Sequence, residues 1–281
     1  MPSCTHPIIL RYSILPGMAR GEVLSAQQLL TQLTISSPEI ESDLAEFEHR
    51  VDALFEPEDQ LRIKKALAIM IQAHAKQTRI DGSSYAGHPL KVAICALTIA
   101  AQPNVDMVIS ALFHDIVEDQ SAAYLTLHDA FPEFVADVQE EALDHMDPSY
   151  GEEVAGNVKS LTNPDFDQLV RRRGIGTNSI HFEDAKRAEY GEHVRHAIEN
   201  PDVCILKLSD FMMNAGSLFN LNNGPRKTHF LLKYRPVVDY FITRIEDASY
   251  PVQLEDPEEI LSYLHQLKDE MDDLMRDMKS A

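Results

Sequence analysis

Several residues near the middle of this chain have the types and spacing that bind a divalent metal. His114, Asp115, Glu118 and Asp119 fall within six consecutive positions, and their neighbours are largely apolar. If residues 107–120 form one helix, His114 and Glu118 lie four positions apart on one face, as do Asp115 and Asp119. A mostly buried helix holds such polar groups at low cost only when they are paired or bound to a metal. We therefore predict a metal site here, and a surface helix end with acidic residues is the alternative.

Two further candidate ligands lie elsewhere in the chain, His88 ahead of Pro89 and Asp210 far downstream. Taken alone, His88 would be a core or helix-start histidine, and Asp210 would form an ion pair with Lys207 or cap a helix. Two imidazoles and two carboxylates together suit Mn²⁺, Fe²⁺, Co²⁺ or Zn²⁺ better than Ca²⁺. Such a metal polarises a phosphoryl oxygen and lowers the pKa of a bound water, whose proton a nearby carboxylate can take.

Three segments around these residues resemble the hydrolase domain of RelA/SpoT-type proteins, a branch of the HD-domain phosphohydrolases. Residues 79–93 resemble the opening motif, in which an Arg precedes a Gly, a Tyr and a His-Pro pair. Residues 111–119 resemble the second motif, and residues 205–214 resemble the later Lys-Leu-x-Asp-x-x-x-Asn motif. The three segments occur in the same order as in the family and lie within roughly residues 60–250.

The resemblance implies a metal-dependent enzyme that removes the 3′-pyrophosphate from (p)ppGpp-like alarmone nucleotides, with Mn²⁺ or another divalent transition metal. The implied metal ligands are His88, His114, Asp115 and Asp210, and the implied catalytic pair is Glu118 and Asp119. The implied substrate-binding residues are Arg79, Lys186, Arg187, Tyr190 and Asn214. From the residues alone, Lys186 and Arg187 fit an ordinary solvated helix face about equally well. The run Arg171–Arg173 is either a phosphate-binding loop or a solvated one.

Two positions depart from the family pattern and leave the nucleotide base open. Phe211 stands where a basic residue is usual, and Ser83-Ser84 replaces a more usual Glu-Pro. We expect both changes to touch the nucleotide pocket rather than the metal. The alternatives are an HD phosphohydrolase of another nucleotide, such as an NADPH 2′-phosphatase or a nucleotidase, and a non-catalytic, metal-bound regulatory module. Because about thirty residues follow position 250, we expect a hydrolase without synthetase activity.

Composition narrows the classes of partner. The 281 residues are 44 % hydrophobic, enough for one large domain with appendages. A formal net charge of −20 argues against nucleic acid and anionic membranes as partners, because a phosphate backbone needs a basic surface. An anionic nucleotide therefore needs local cations or a metal. No run of ~18 apolar residues predicts a membrane span, and we expect a cytoplasmic protein with reduced cysteines; a homo-oligomer is left open.

The apolar residues recur at helical spacing and show no alternation of period two, which predicts an all-α fold. The resemblance implies the helical bundle of an HD domain. We predict an N-terminal extension over 1–50, an HD hydrolase domain over 51–250 and an acidic amphipathic helix over 251–281. The predicted helices begin at about Ser25, Ser37 and Pro89 or span 57–77, 107–120, 127–143, 150–161, 182–200, 203–221, 228–248 and 257–278, with a polar stretch over 165–179.

Overall fold

The computed structural model describes residues 25–79, 82–130, 137–219, 221 and 224–280. Within these residues the regular elements are fourteen α-helices, and extended pairing is limited to two isolated bridges. The predicted all-α fold is therefore confirmed. None of the helices in the described part is long and apolar enough to cross a membrane. The irregular segment predicted over residues 1–24 lies outside the described residues.

The helices begin where local sequence signals predict. Ser37 and Asn104 accept a backbone N–H in the first turn that follows, and prolines open several of the helices. In chain order the helices are α1 (Ala26–Gln32), α2 (Pro38–Leu54), α3 (Pro57–Ala73), α4 (Gly87–Ile99), α5 (Val105–Phe113), α6 (Ile116–Asp119), α7 (Ser121–Leu127), α8 (Val138–Tyr150), α9 (Glu152–Leu161), α10 (Phe166–Arg172), α11 (Phe182–Ala197), α12 (Pro201–Leu218), α13 (Pro225–Glu246) and α14 (Pro257–Ser280).

Helix α5 lies at the centre of the core and contacts α3, α4, α9 and α12. Every residue of α5 from Met107 to Phe113 is buried, so the helix is apolar on all sides rather than along one stripe. Helix α12 packs on α4 and is buried over most of its first three turns. These contacts fix the end of α5 relative to the start of α4 and the middle of α12, where the candidate metal ligands lie.

The single helix predicted over residues 107–120 is wrong. Helix α5 ends at Phe113, His114 and Asp115 form a turn, and α6 follows as one short helical turn. This stretch of sequence contains no Pro or Gly that would signal a break. The break is instead supported by a contact from elsewhere, since the hydroxyl of Tyr85 donates a hydrogen bond to Asp115 Oδ2 at 2.6 Å.

Two other helix predictions need correction. The helix predicted over 127–143 is divided: α7 ends at Leu127, Asp129 adopts a φ of 51°, and α8 begins only at Val138. The polar stretch over 165–179 contains α10, which Asp165 caps by accepting the backbone N–H of Gln168 at 2.9 Å. Helix α10 is short and mostly polar and packs on α11, so tertiary contact rather than an apolar pattern supports it.

The predicted domain division stays a prediction, but α2 runs across its first boundary at residue 50. Ile40, Leu44 and Phe47 of α2 are buried in the same core as the later helices, and α2 packs on α4. At the other end, α14 packs on α13 through an apolar stripe that includes Leu264 and Met271, as its sequence pattern predicted.

Candidate metal centre and active site

The four predicted metal ligands come together from three parts of the fold. His88 lies in the first turn of α4, His114 and Asp115 form the turn between α5 and α6, and Asp210 lies in α12. His88 Nε2 is 3.1 Å from Asp210 Oδ1 and 3.6 Å from Asp115 Oδ2. His114 Nε2 is 3.1 Å from Asp115 Oδ2 and 3.7 Å from Asp210 Oδ1. One ligand atom each from His88, His114 and Asp115 lies within 4.8 Å of the others, so this is a candidate metal site.

The orientation of His114 fits a metal ligand. Its Nδ1 lies 2.8 Å from the carbonyl oxygen of Ala111, a contact in which only a protonated Nδ1 can donate. In the neutral ring this leaves the lone pair on Nε2, the atom that faces the carboxylates. His114 Nε2 is buried and makes no hydrogen bond. A buried nitrogen without a partner beside two carboxylates, with a second imidazole opposite, matches the donors that a divalent transition metal prefers.

The electrostatics of the cluster also favour a cation. Burial opposes protonation of His114, but the carboxylates of Asp115 and Asp210 outweigh it and raise its pKa to about 9. Burial likewise opposes ionisation of Asp115, yet His114, His88 and the Tyr85 hydroxyl hold its pKa well below the usual range. The pKa of Asp210 is lowered against its burial by the hydrogen bond with His88 and the charge of His114. Both carboxylates are therefore ionised and present two negative charges to whatever binds between the imidazoles.

Two neighbouring side chains orient the carboxylate ligands. Tyr85 donates to Asp115, and burial, with the nearby charge of Asp115, raises the pKa of Tyr85 so that it stays protonated as a donor. Asn214 Nδ2 donates to Asp210 Oδ1 at 2.6 Å, so this residue, predicted to bind substrate, contacts a metal ligand. Such second contacts fix which lone pairs of a carboxylate are left for a metal. The motif spacing identified both residues but not these partners.

The predicted catalytic acids, Glu118 and Asp119, are both exposed and are bound by different neighbours. Glu118 Oε2 accepts the backbone N–H of Asn163 at 3.0 Å and its Nδ2 at 2.9 Å, while Asp119 Oδ2 accepts Gln77 Nε2 at 2.7 Å. Although part of its surface is open to solvent, surrounding protein raises the pKa of Glu118, and the charge of Asp115 adds to this effect. The bond from Asn163 opposes the shift. Glu118 can therefore hold a proton at a higher pH than an ordinary glutamate.

The two cations predicted to bind substrate are already paired with acids. Lys186 Nζ lies 2.7 Å from Asp167 of α10 and 3.7 Å from Glu183. Arg187 pairs with Asp184 one turn earlier on α11. The structure thus places their charged groups against carboxylates outside the metal-ligand cluster, and their role toward a substrate stays a prediction.

A different lysine, Lys233 of α13, lies close to the cluster and was missed from the sequence. Its Nζ lies over the ring of Tyr190, 4.1 Å from the ring centre, and 5.4 Å from that of Tyr234. Burial lowers its pKa and the charge of Lys207 adds to this, whereas the carboxylates of Asp210, Glu118 and Asp115 oppose the shift. Lys233 therefore lies within electrostatic reach of those carboxylates. It belongs to none of the three motifs, so nothing in the sequence singled it out.

Tyr190 and Lys207 complete this side of the site. Tyr190, predicted to bind substrate, is buried, and burial raises its pKa well above the usual value, as do Tyr234, Asp210 and Glu118. Lys207 is buried and donates to the carbonyl oxygen of Leu161 at 2.8 Å. The alternative pairing of Asp210 with Lys207 is therefore wrong, because Asp210 contacts His88 instead.

A cleft of about 320 Å³ opens on the other side of His88, between α2, the segment leading into α4, and the end of α12. Arg79, predicted to contact the nucleotide, lines this cleft, and so do Ser83 and Ser84. Phe211 does not line it: the ring is 3 % exposed and packs against Tyr234 and Phe241. Any influence of Phe211 on the nucleotide would pass through those neighbours.

Comparison with known proteins finds no matching family model. Over 85 residues, 30 % of this chain and 12 % of the relative, the chain is 34 % identical to the bifunctional (p)ppGpp synthase/hydrolase SpoT of Escherichia coli (strain K12). Over 171 residues, 61 % of this chain and 20 % of the relative, it is 26 % identical to the guanosine-3′,5′-bis(diphosphate) 3′-pyrophosphohydrolase of Aquifex aeolicus (strain VF5). The matched segments thus span a fifth or less of these curated relatives.

Among solved structures, a metazoan ortholog of SpoT that hydrolyses ppGpp aligns with 73 % of this chain and 94 % of its own, at 15 % identity and a TM-score of 0.48. The two sequence matches confirm the resemblance to RelA/SpoT-type proteins that the three motifs predicted.

Proposed function

We propose that this protein is a metal-dependent phosphohydrolase that removes the 3′-pyrophosphate from (p)ppGpp-like alarmone nucleotides. The observation that supports this most is the convergence of His88, His114, Asp115 and Asp210 within hydrogen-bonding distances of one another, three residues before the exposed acid Glu118. The relatives named as (p)ppGpp hydrolases supply the substrate class.

His88, His114, Asp115 and Asp210 would hold the metal, which we propose to be Mn²⁺ by resemblance to the family. When bound, a divalent transition metal polarises a phosphoryl oxygen and makes a water molecule more acidic. The protein prepares the ligands for this through the Ala111 carbonyl on His114, Tyr85 on Asp115 and Asn214 on Asp210.

Glu118 is the proposed proton acceptor for the attacking water. Asn163 holds one of its oxygens, Oε2, with two hydrogen bonds, and no hydrogen bond from a described residue reaches the other. Its raised pKa makes it a stronger base than an ordinary glutamate once it is ionised. As water adds to the phosphorus, the bond to the ribose 3′-oxygen breaks, pyrophosphate leaves, and the 3′-oxygen ends as a hydroxyl. We propose that Asp119, held by Gln77, shares in holding the water.

Charge and shape suggest how the rest of the nucleotide is held. Lys233, over Tyr190, supplies a cation close to the site carboxylates, and Lys186 and Arg187 are further candidates by resemblance. Arg79 lines the cleft on the other side of His88. A nucleotide phosphorylated at both ends would place one end at the metal ligands and the other at a cation, which offsets the repulsion from a chain of net charge −20.

The test is a hydrolysis screen with metal-free protein to which Mn²⁺ or other divalent metals are added back. We expect release of pyrophosphate from ppGpp, pppGpp or ppApp and little from GTP or ATP. Ready hydrolysis of GTP and ATP without alarmone turnover would contradict the proposal. Hydrolysis of NADPH alone would instead support the alternative of a 2′-phosphatase.

Two variants separate the proposed roles. Asp210→Ala should lose both metal and turnover, whereas Glu118→Gln should keep the metal, measured by elemental analysis, and lose turnover by ~100-fold or more. Asp184→Asn, an exposed acid on α11, is the control and should change neither. Equal metal loss in the Asp210 and Glu118 variants would show that Glu118 is a ligand.

A further inference from the structure

The cleft beside His88 differs in charge from the side of the site that Lys233 occupies. Two cations, Arg79 and Lys91, and two carboxylates, Glu39 and Asp43, line it, so their formal charges cancel. A phosphate group entering this cleft would meet both carboxylates. The cleft therefore suits an uncharged polar part of a ligand better than a phosphate.

The size of the cleft agrees with that conclusion. Its volume of about 320 Å³ lies at the lower end of the ~300–1,000 Å³ that is usual for small-molecule sites. A nucleobase with its ribose fits such a volume better than a nucleotide with two diphosphates. Because His88 is both a candidate metal ligand and part of the cleft wall, a nucleotide reacting at the metal could extend directly into it.

Two polar atoms of residues that line this cleft have no hydrogen-bonding partner. Asp43 Oδ2 and Ser84 Oγ are both buried and make no hydrogen bond. Lys91 Nζ is 3.7 Å from Asp43 Oδ2, too far for a hydrogen bond, because it contacts Glu39 instead. A buried carboxylate oxygen without a donor is costly, and N–H groups of a ligand would remove that cost.

We propose that this cleft is the base subsite and that Asp43 and Lys91 select guanine. The pairing edge of guanine presents two adjacent donors, the ring N1–H and the 2-amino group, beside the acceptor O6. A carboxylate next to an ammonium group complements that order, with Asp43 accepting from both donors and Lys91 donating to O6. Adenine presents one amino donor beside a ring acceptor and cannot satisfy both groups in the same way.

The inference rests on the proposed function only in taking a nucleotide as the ligand. The first measurement is kcat/KM of the unaltered protein for ppGpp and ppApp, with Mn²⁺ present. Because hydrogen bonds to charged groups decide the difference, we expect guanine to be preferred by roughly tenfold or more. Equal rates for the two bases would overturn the inference and leave the phosphohydrolase proposal standing.

The decisive variant is Asp43→Asn, which replaces one acceptor oxygen with an amide donor. It should lower kcat/KM for ppGpp by roughly 10- to 100-fold. It should also raise kcat/KM for the xanthine counterpart of ppGpp, whose 2-oxo group accepts where guanine donates. A purely structural role for Asp43 would not produce that gain. An equal loss on ppGpp and ppApp, with no gain on the xanthine nucleotide, would overturn the inference.

Glu46→Gln is the matched control. Glu46 lies on the same face region of α2 one turn later, is half-exposed, pairs with Arg50 and does not line this cleft. Its ratio of ppGpp to ppApp turnover should equal that of the unaltered protein. Metal content and the thermal unfolding midpoint of both variants establish whether each is folded.

Binding of GDP and ADP, measured by calorimetry, keeps the inference testable without turnover. If the unaltered protein hydrolyses no alarmone, the proposed function fails, and a preference for GDP over ADP would still uphold the base subsite. Equal affinity for GDP and ADP would overturn it. The same measurement decides the matter if Asp43→Asn does not fold.

Discussion

The residues predicted to bind substrate differ from Lys233 in whether their polar groups are already engaged. Lys186 and Arg187 pair with carboxylates of α10 and α11, and Asn214 donates to Asp210. Lys233, by contrast, has no carboxylate of the described residues within 4.0 Å, although three site carboxylates influence its pKa. A cation is available to a phosphate only when no nearer acid neutralises it, and neighbours in space decide that.

Burial strengthens the contrast. Lys233 is partly buried against aromatic rings, which lowers its pKa, whereas Lys186 keeps about a third of its side chain exposed and its acid partners raise its pKa. A charge at a partly desolvated position interacts more strongly with an incoming anion than a solvated, paired one. The following predictions test whether this difference decides binding.

Replacing Lys233 by Met should give the largest loss. We expect kcat/KM for the alarmone substrate to fall by ~100-fold, about 2.7 kcal/mol, mainly through a higher KM, because an unpaired cation near the metal ligands is removed. Steady-state kinetics with metal content measured in parallel would show this. Lys227→Met on the same helix, whose Nζ contacts the Leu221 carbonyl, should change kcat/KM little. A smaller loss for Lys233→Met than for Lys186→Met would reverse the comparison.

Replacing Asn214 by Ala should weaken metal binding rather than substrate binding. Because Asn214 donates to Asp210 Oδ1, its loss should lower the affinity for Mn²⁺ by ~10-fold or more, as seen when partners of metal ligands are removed. Metal titration followed by calorimetry checks this. If KM at saturating metal rises while metal affinity stays constant, Asn214 acts on the nucleotide as the resemblance implied.

Replacing Asn163 by Ala should shift the pH dependence. Glu118 must be ionised to accept a proton, so kcat/KM should fall as the pH drops through its raised pKa, at a higher pH than for an ordinary glutamate. Asn163 stabilises the ionised form, so losing its side-chain donor should move this acid limb to a still higher pH, by less than about one unit. A pH–rate profile at saturating metal measures the shift. A limb that moves to lower pH would show that Asn163 does not stabilise the base.

Replacing Lys186 by Ala should have the smallest effect. Because its ammonium group already pairs with Asp167 and Glu183, we expect kcat/KM to change by about threefold or less. Arg187→Ala should fall between this variant and Lys233→Met, since Arg187 is more buried but pairs with a single exposed acid. A tenfold rise in KM for Lys186→Ala would restore the role that the resemblance implied.

Much of the fold could be predicted because its signals are local. Ser37 and Pro38 mark the start of α2, and the apolar spacing in α3 and α14 follows the period of a helix. Where prediction was wrong, the deciding contacts were distant in sequence. The break at His114 and Asp115 has no local signal and is supported by Tyr85, thirty positions earlier, and α10 depends on packing against α11.

The sequence by itself determined the types of donor at the candidate metal centre, because the motifs specify which residues occur and in what order. Only the tertiary structure decided which cations remain unpaired and which carboxylate oxygens lack donors. Lys233 and Asp43 belong to helices at opposite ends of the chain, and nothing in their local sequence marks them. Pairing and burial depend on which helices lie side by side, and electrostatic strength follows distance and desolvation in space rather than separation along the chain.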